Sequence, residues 1–190
     1  MADVIAQAVS LTRPRWRDEA LASGITIQIR TDVAETRPIL GNASELRDAL
    51  TNLMLNAIDA MPSGGIITLQ ARPEGSDVLL EVVDTGIGMT DEVRRRCLEP
   101  FFTTKGERGT GLGLALVHAI VREQRGAIDV TTAVGKGSTF AAYLPLTRSG
   151  AGQEKLAQPA APRAHGQTIL VVDDDPAMLS LAEDMLAELR

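Results

Sequence analysis

The stretch SELRDALTNLMLNAIDAM, Ser44 to Met61, decides the fold. It reads as one helix, with Ser44 or Asn42 as N-cap and Pro62-Ser63-Gly64-Gly65 as its stop. Leu46, Leu50, Leu53, Met54, Leu55, Ala57 and Ile58 make it apolar nearly all round, which predicts burial. Yet Asp48, Asn52, Asn56 and Asp59 recur at helical spacing and form one polar stripe. Such a stripe is either the solvent edge of an amphipathic helix or a surface turned toward a ligand or metal, because buried polar groups are costly unless satisfied. Amide and carboxylate oxygens suit a hard cation such as Mg2+, which shares its shell with phosphates and water.

Outward from this helix, strands and helices alternate. Ile25, Ile27 and Ile29 alternate with Thr26, Gln28 and Arg30, the pattern of a half-buried strand. Upstream, residues 2–22 carry Val4, Ile5, Ala8, Val9 and Leu11 at helical spacing, with Pro14 placed to break or kink the helix. Downstream, strands at Ile66–Arg72 and Val78–Asp84 flank a hairpin turn at Pro73-Glu74-Gly75-Ser76. Thr85 to Gly111 is Gly-rich, charged and poorly periodic, and long loops of that kind are usually functional or mobile. A second helix is expected from Gly111 to Gln124, then strands at Ala127–Thr132 and Ser138–Leu144.

Composition narrows the class. The 190 residues are 44% hydrophobic and 23% charged, as in a soluble globular α/β protein. Aromatics at 3% leave few stacking platforms for single-stranded nucleic acid, and a net charge of −6 speaks against a phosphate-backbone binder. No nucleic-acid partner is expected. Cys97 is the only cysteine, so neither an intramolecular disulfide nor a cysteine-based zinc site is possible. No apolar run reaches the roughly 18 residues of a membrane helix, and the N-terminus has no secretory pattern. These features predict a cytoplasmic segment without membrane contact.

The composition shifts at Arg148. Residues 148–167 are rich in Ala, Gly, Gln and Pro and read as a flexible linker. Thr168-Ile169-Leu170-Val171-Val172 then reads as a strand buried on both faces. Asp173-Asp174-Asp175-Pro176 opens a helix with a wide apolar face. One strand and one helix cannot bury their own faces, so residues 168–190 are expected to be a fragment of a second domain.

Three further motifs carry chemistry. Asp84-Thr85-Gly86-Ile87-Gly88 sets a carboxylate at a strand end beside Gly86 and Gly88, where backbone can approach a ligand closely. An acceptor there prefers the N6 donor of adenine to the O6 of guanine. Gly109-Thr110-Gly111-Leu112-Gly113-Leu114 opens the second helix, and backbone N–H groups at a helix start form an anion site. Its spacing matches neither the dinucleotide fingerprint nor the Walker loop. Between them, Glu99-Pro100-Phe101-Phe102-Thr103-Thr104-Lys105 is a hydrophobic anchor for the loop, a lid that brings Lys105 to a site, or both.

Together, in this order, the four motifs resemble the catalytic ATP-binding domain of sensor histidine kinases, in the GHKL superfamily that also holds gyrase-type ATPases. Asn52 to Ala57 resembles the N-box, Asp84 to Gly88 the G1 box, Pro100 to Lys105 the F-box and Gly109 to Leu114 the G2 box. The resemblance covers residues 1–147. It implies a two-layer α/β sandwich of the Bergerat type, a mixed sheet packed on helices with ATP under a mobile lid. It implies Asn56 as Mg2+ ligand and Asp84 as adenine reader, with Asn52, Asp59, Gly86, Gly88, Phe102, Thr104, Lys105, Gly109, Thr110, Gly111, Leu112, Gly113, Leu114 and Thr139 in the same site. Asn52, Asn56 and Lys105 are its candidate catalytic residues. Residues 168–190 resemble the first strand and helix of a response-regulator receiver domain, in which Asp173 and Asp174 would be the acidic pair that holds Mg2+.

Departures from the pattern have chemical content. A histidine kinase needs an acceptor His on a dimerisation hairpin. Of the two His here, His118 lies within the second helix and His165 in the linker, so the hairpin is expected to be supplied separately. Gyrase-like ATPases place a Glu general base where this chain has Asn52, and an amide cannot take a proton. Gln124-Arg125-Gly126 stands where many members of the family it resembles carry His-Gly-Gly and is expected to matter only for the turn. The Arg94-Arg95-Arg96 run is expected to be a solvated helix face. The function expected is transfer of the ATP γ-phosphoryl group to a histidine, with the dimerisation domain and a receiver domain or response regulator as partners. The alternatives are a nucleotide-sensing interaction module and an anti-sigma-type serine kinase.

Overall fold

Pro14 sets the shape of the N-terminal segment. The structure, a computed structural model, describes residues 1–39, 41–106 and 109–146. The linker at 148–167 and the βα fragment at 168–190, with Asp173 and Asp174, lie outside the described residues. Helix α1 (Ala2–Leu11) stops ahead of Pro14, and a wider π-type turn over Pro14–Glu19 leads into the short α2 (Ala20–Ala22). Lacking an N–H, the proline is tolerated at the start of that turn, so the chain bends there and stays helical.

Strand β1 (Ile27–Val33) is followed by α3 (Ala43–Asp59). Of the two expected caps, Asn42 is the one used, its Oδ1 accepting the Ser44 N–H at 2.9 Å. Strands β2 (Gly65–Glu74) and β3 (Asp77–Asp84) run further into their hairpin than expected, pairing Pro73 with Val78 and Glu74 with Asp77. Pro73 is tolerated because β1 pairs with β2 only as far as Ala71, so no neighbour asks for its missing donor. The segment expected as one long loop contains α4 (Asp91–Arg96). Thr90 caps it by accepting the Val93 N–H, and its acids and arginines sit at the ends the helix dipole favours. The three arginines are exposed, as a solvated face requires. Helix α5 (Gly113–Glu123) and strands β4 (Ala127–Thr132) and β5 (Ser138–Pro145) complete the unit.

The sheet order is β1-β2-β3-β5-β4. β1 and β2 are parallel, joined through α3 as crossover, and the other pairs are antiparallel. The helices layer on one face of this mixed sheet, α3 in the middle with α1 and α5 packed against it. Leu69, Val82 and Phe140 stand in register across three strands, as do Ala71, Leu80 and Ala142. They share a core with Leu50, Leu53, Met54 and Ala57 of α3. Burying each large aliphatic side chain contributes about 1.5–3 kcal/mol, so a chain nearly free of aromatics still has a full core. Among the described residues, no helix is long and apolar enough to cross a membrane.

Strand parity positions the site. Val78, Leu80 and Val82 are buried at alternate positions of β3, and Asp84 occupies the next. The strand therefore ends by placing a carboxylate where the core pattern calls for a hydrophobe.

Candidate functional site

Asp84 is 4% exposed. Its Oδ1 accepts the backbone N–H of Gly86 at 2.8 Å and of Ser138 at 3.3 Å. Burial pushes its carboxyl above the usual range, and the two backbone bonds offset part of that rise. Among the described residues no hydrogen bond reaches Oδ2, and the residue lines a cleft of about 450 Å³. The sheet end thus offers one buried acceptor to whatever enters. A cleft of this size falls in the range of small-molecule sites.

The opposite wall is the polar stripe of α3. Asn52, Asn56 and Asp59 line the cleft, while Asp48 lies beyond it and pairs with Arg47 at 3.5 Å. The stripe is thus a ligand-facing wall over three residues and a solvent edge at the fourth. Asn52 Nδ2 donates to the Asp48 carbonyl at 2.9 Å, one turn back. Its Oδ1 faces the start of α5 so closely that a Cβ at Gly113 would lie 3.1 Å away.

The third wall is the start of α5. Leu112 occupies the N-cap and has no oxygen to offer, so no side chain caps the first N–H groups. Those donors, next to the cleft-lining Gly111, Gly113 and Leu114, are available to an anion. Gly111 has φ +67°, and a Cβ there would sit 2.4 Å from the Phe101 carbonyl carbon. Only glycine allows this approach. Phe101 itself has φ +66° and donates its N–H to the Gly111 carbonyl at 2.9 Å. The loop between α4 and α5 is therefore pinned to the start of α5.

That loop forms the fourth wall. Phe102 lines the cleft with the Arg96 guanidinium 4.3 Å from its ring centre, while Phe101 is 76% exposed. One phenylalanine anchors the loop and the other does not. Thr103, Thr104, Gly109 and Thr110 also line the cleft. Lys105 reaches across it and donates from Nζ to Asn56 Oδ1 at 2.9 Å and to Asp59 Oδ2 at 2.7 Å. Asp59 Oδ1 accepts from Arg15 at 2.9 Å.

Three expected site residues lie off the walls. Thr139 is displaced by its neighbours Ser138 and Phe140, which line the cleft. Strand alternation turns Thr139 to the other face, where it stands in register with Val83 and Thr131. Gly86 lends its N–H to Asp84 and passes the end of α3 so closely that a Cβ would meet the Ala60 carbonyl at 2.4 Å. Leu112 is 45% exposed and does not line the cleft. Conversely, Leu55, Ala60, Ile87, Met89, Val93 and Cys97 line the cleft without having been expected there, Leu55 and Ile87 from within two of the motifs. Cys97 is buried, its thiol pushed up by that burial, and it donates to the Arg94 carbonyl at 3.2 Å.

Gln124, expected to matter only for a turn, does more than that. It is buried, accepts the Asn42 N–H at 3.1 Å and donates to Glu45 at 2.7 Å. It ties the end of α5 to the start of α3, so it helps fix the spacing of two cleft walls. His118 is half-buried within α5, in keeping with a packed helix histidine.

Which cation could such walls hold? Among the described residues no group of three or more His, Cys, Asp or Glu is gathered. A cation at Asn56 would therefore take most of its shell from ligand phosphates and water, the habit of Mg2+. The donor set fits a magnesium-bound nucleotide: an acceptor for the base, uncapped N–H groups for phosphates, and an amide oxygen with a nearby ammonium for the metal-phosphate end.

Comparison with known proteins agrees with this geometry. Residues 41–148 match the family described as histidine kinase-, DNA gyrase B-, and HSP90-like ATPase. The sensor kinase CckA of Brucella abortus is 36% identical over 165 residues, covering 74% of this chain and 18% of its own length. The sensor histidine kinase ZraS of Escherichia coli K12 is 42% identical over 126 residues, covering 66% of this chain and 27% of its own length. The chain thus spans less than a third of either relative. Among solved structures, full-length ShkA in complex with AMPPNP superposes with a TM-score of 0.67 at 30% identity, over 78% of this chain and 30% of that one. The mycobacterial sensor histidine kinase MprB gives 0.63 at 28%, over 76% of this chain and 93% of that one.

Proposed function

Because the chain belongs to the family of histidine kinase-, DNA gyrase B- and HSP90-like ATPases, we propose that its cleft binds ATP with Mg2+ and presents the γ-phosphoryl group to a histidine on a separate dimerisation domain. The observation that carries this reading is the buried Asp84 carboxylate, its Oδ1 held by two backbone N–H groups and its Oδ2 left to the cleft. That oxygen accepts from the adenine N6 amine and repels the O6 of guanine. The AMPPNP held in the ShkA structure is an ATP analogue of the same shape.

Each remaining residue has a stated task. The uncapped N–H groups at the start of α5 take the phosphate chain. Asn56 Oδ1 is the oxygen that would hold Mg2+, which when bound draws charge from the phosphates. Lys105 offsets charge on the terminal phosphoryl group. A histidine nitrogen attacks the γ-phosphorus as the bond to the ADP oxygen breaks, and positioning and electrostatics carry the step. Asn52 cannot act as a base, so water in the cleft is not activated and the phosphoryl group is kept for the histidine. Residues 168–190 are read, from sequence pattern alone, as the opening of a receiver domain on the same chain, with Asp173 and Asp174 as its acidic pair.

The test is transfer in trans. The chain is mixed with a separately produced dimerisation hairpin of a related sensor kinase, Mg2+ and γ-labelled ATP. We expect acid-labile label on the hairpin histidine, lost in the Asn56→Ala chain. Rapid release of inorganic phosphate with no labelled hairpin would refute the reading.

A further inference from the structure

Helix α3 ends on a carboxylate, where the helix dipole disfavours one, and that carboxylate also lines the cleft proposed for a polyphosphate. Neither helix stability nor phosphate binding explains Asp59. Its contacts do. Arg15 takes Oδ1 at 2.9 Å and Lys105 takes Oδ2 at 2.7 Å, so both oxygens are committed and the carboxylate is held in one orientation. The same Lys105 ammonium lies 2.9 Å from Asn56 Oδ1, the oxygen assigned above to the divalent ion.

Building on the proposed nucleotide site, we infer that Asp59 is a positioning residue acting through Lys105: it latches the lid ammonium onto Asn56 Oδ1, so that Lys105 and a nucleotide-bound divalent ion are alternatives at one oxygen. Two cations cannot share that amide oxygen at such distances without strong repulsion. Entry of the magnesium nucleotide therefore moves Lys105 off Asn56, toward the phosphates. Asp59 keeps its Arg15 partner throughout, so the carboxylate is not left unpaired when Lys105 departs. The latch lowers apparent affinity by the fraction of molecules in which Lys105 is seated. Both side chains are partly exposed, with 39% and 32% accessible, so the latch is an ion pair of modest strength.

A double-mutant cycle measures it. Titrations with ATP and Mg2+ are made calorimetrically on the wild-type chain, Asp59→Asn, Lys105→Met and the double variant. We expect Asp59→Asn to tighten binding by roughly three- to fivefold in the wild-type background, the scale of a partly exposed ion pair. In the Lys105→Met background the same substitution is expected to change affinity by less than about 1.5-fold, because there is no latch left to open. Equal tightening in both backgrounds would show Asp59 repelling phosphates directly, and would overturn the latch. Weaker binding in both would mark Asp59 as a ligand contact or a structural support, and would overturn the latch as well. A wild-type chain that binds no ATP would overturn the reading of the site on which the latch rests, an outcome distinct from either. Melting temperatures of the four proteins, expected to agree closely, separate loss of the latch from loss of fold.

Discussion

Replacing Asp84 by asparagine tests the base-reading wall directly, because the structure fixes which way the new amide turns. Oδ1 of Asp84 accepts from Gly86 and Ser138. In the variant the amide oxygen keeps those two bonds, since an NH2 group facing two N–H donors would leave three buried donors unpaired. The NH2 is then presented to the cleft where a carboxylate oxygen stood. An acceptor becomes a donor. Against the adenine N6 amine this sets donor to donor, and against the guanine O6 it sets donor to acceptor. Loss of a hydrogen bond to an ionised group costs about 1.5–3 kcal/mol, roughly a ten- to hundredfold loss of ATP affinity. GTP affinity is expected to rise, so the preference inverts. Titration of both proteins with both nucleotides in Mg2+ checks this. Wild-type affinities equal for ATP and GTP, or a variant that keeps its ATP affinity, would refute the assignment.

The same substitution has a second consequence, of opposite sign. Burial raises the Asp84 pKa, so between the unfolded value of about 3.9 and the higher folded value the native state binds more protons than the unfolded one. Stability therefore falls as pH rises through that window, and above the folded pKa the whole cost of the buried charge is present. Asp84→Asn removes that cost. The variant is expected to melt above the wild type at neutral pH, with a gap that closes as pH falls toward 4. Poorer ATP binding combined with higher stability is the signature of a charge kept for binding.

Two further substitutions probe the neighbouring walls. Asn56→Ala is expected to lower ATP affinity about tenfold in Mg2+ and to leave binding measured in excess chelator nearly unchanged, as calorimetry in the two buffers would show. Gln124→Ala strips the partner from the Asn42 N–H and from Glu45, and is expected to cost about 1–3 kcal/mol in urea unfolding without altering the slope.

What the sequence made legible follows from the range over which each signal acts. The polar stripe of α3 is a local, periodic pattern, so it could be read before any contact was known, as could the helix N-terminus at Gly111-Leu112-Gly113. The choice between Thr139 and its neighbours could not. It depends on which face of β5 meets the cleft, and a shift of one residue reverses that answer. Counting back from Asp84 in register would have supplied it, because Ser138 pairs with Asp84 and shares its face. Helix α4 was hidden for another reason: six residues carry too little apolar periodicity to register, although the Thr90 cap and the charge order at its ends were present. Asp59 was legible as a site residue, but the contacts that Gln124 and Asp59 make were not. Their partners lie 82 and 46 residues away and are brought together only by the packing of α5 and the loop on α3.

These long-range contacts share a pattern that bears on how the cleft works. Asp84 is a charge where the strand calls for a hydrophobe, and Asp59 is a charge at the wrong end of a helix. The α5 N-terminus lacks a capping oxygen, and Phe101 holds a left-handed backbone that disfavours its side chain. Each departs from the locally stable choice, and each lies on a cleft wall or on the loop that forms one. The core residues behind them show no such departures: Leu50, Val82 and Phe140 are what period and burial demand. Local inconsistency set against a consistent core is where sequences carry function, since it survives only when the surrounding packing enforces it. The lid lysine fits the same logic. Lys105 satisfies Asp59 and Asn56 together. A nucleotide entering the cleft would offer it phosphate oxygens in their place, so the contact that offsets one of these local costs is also the contact that binding exchanges.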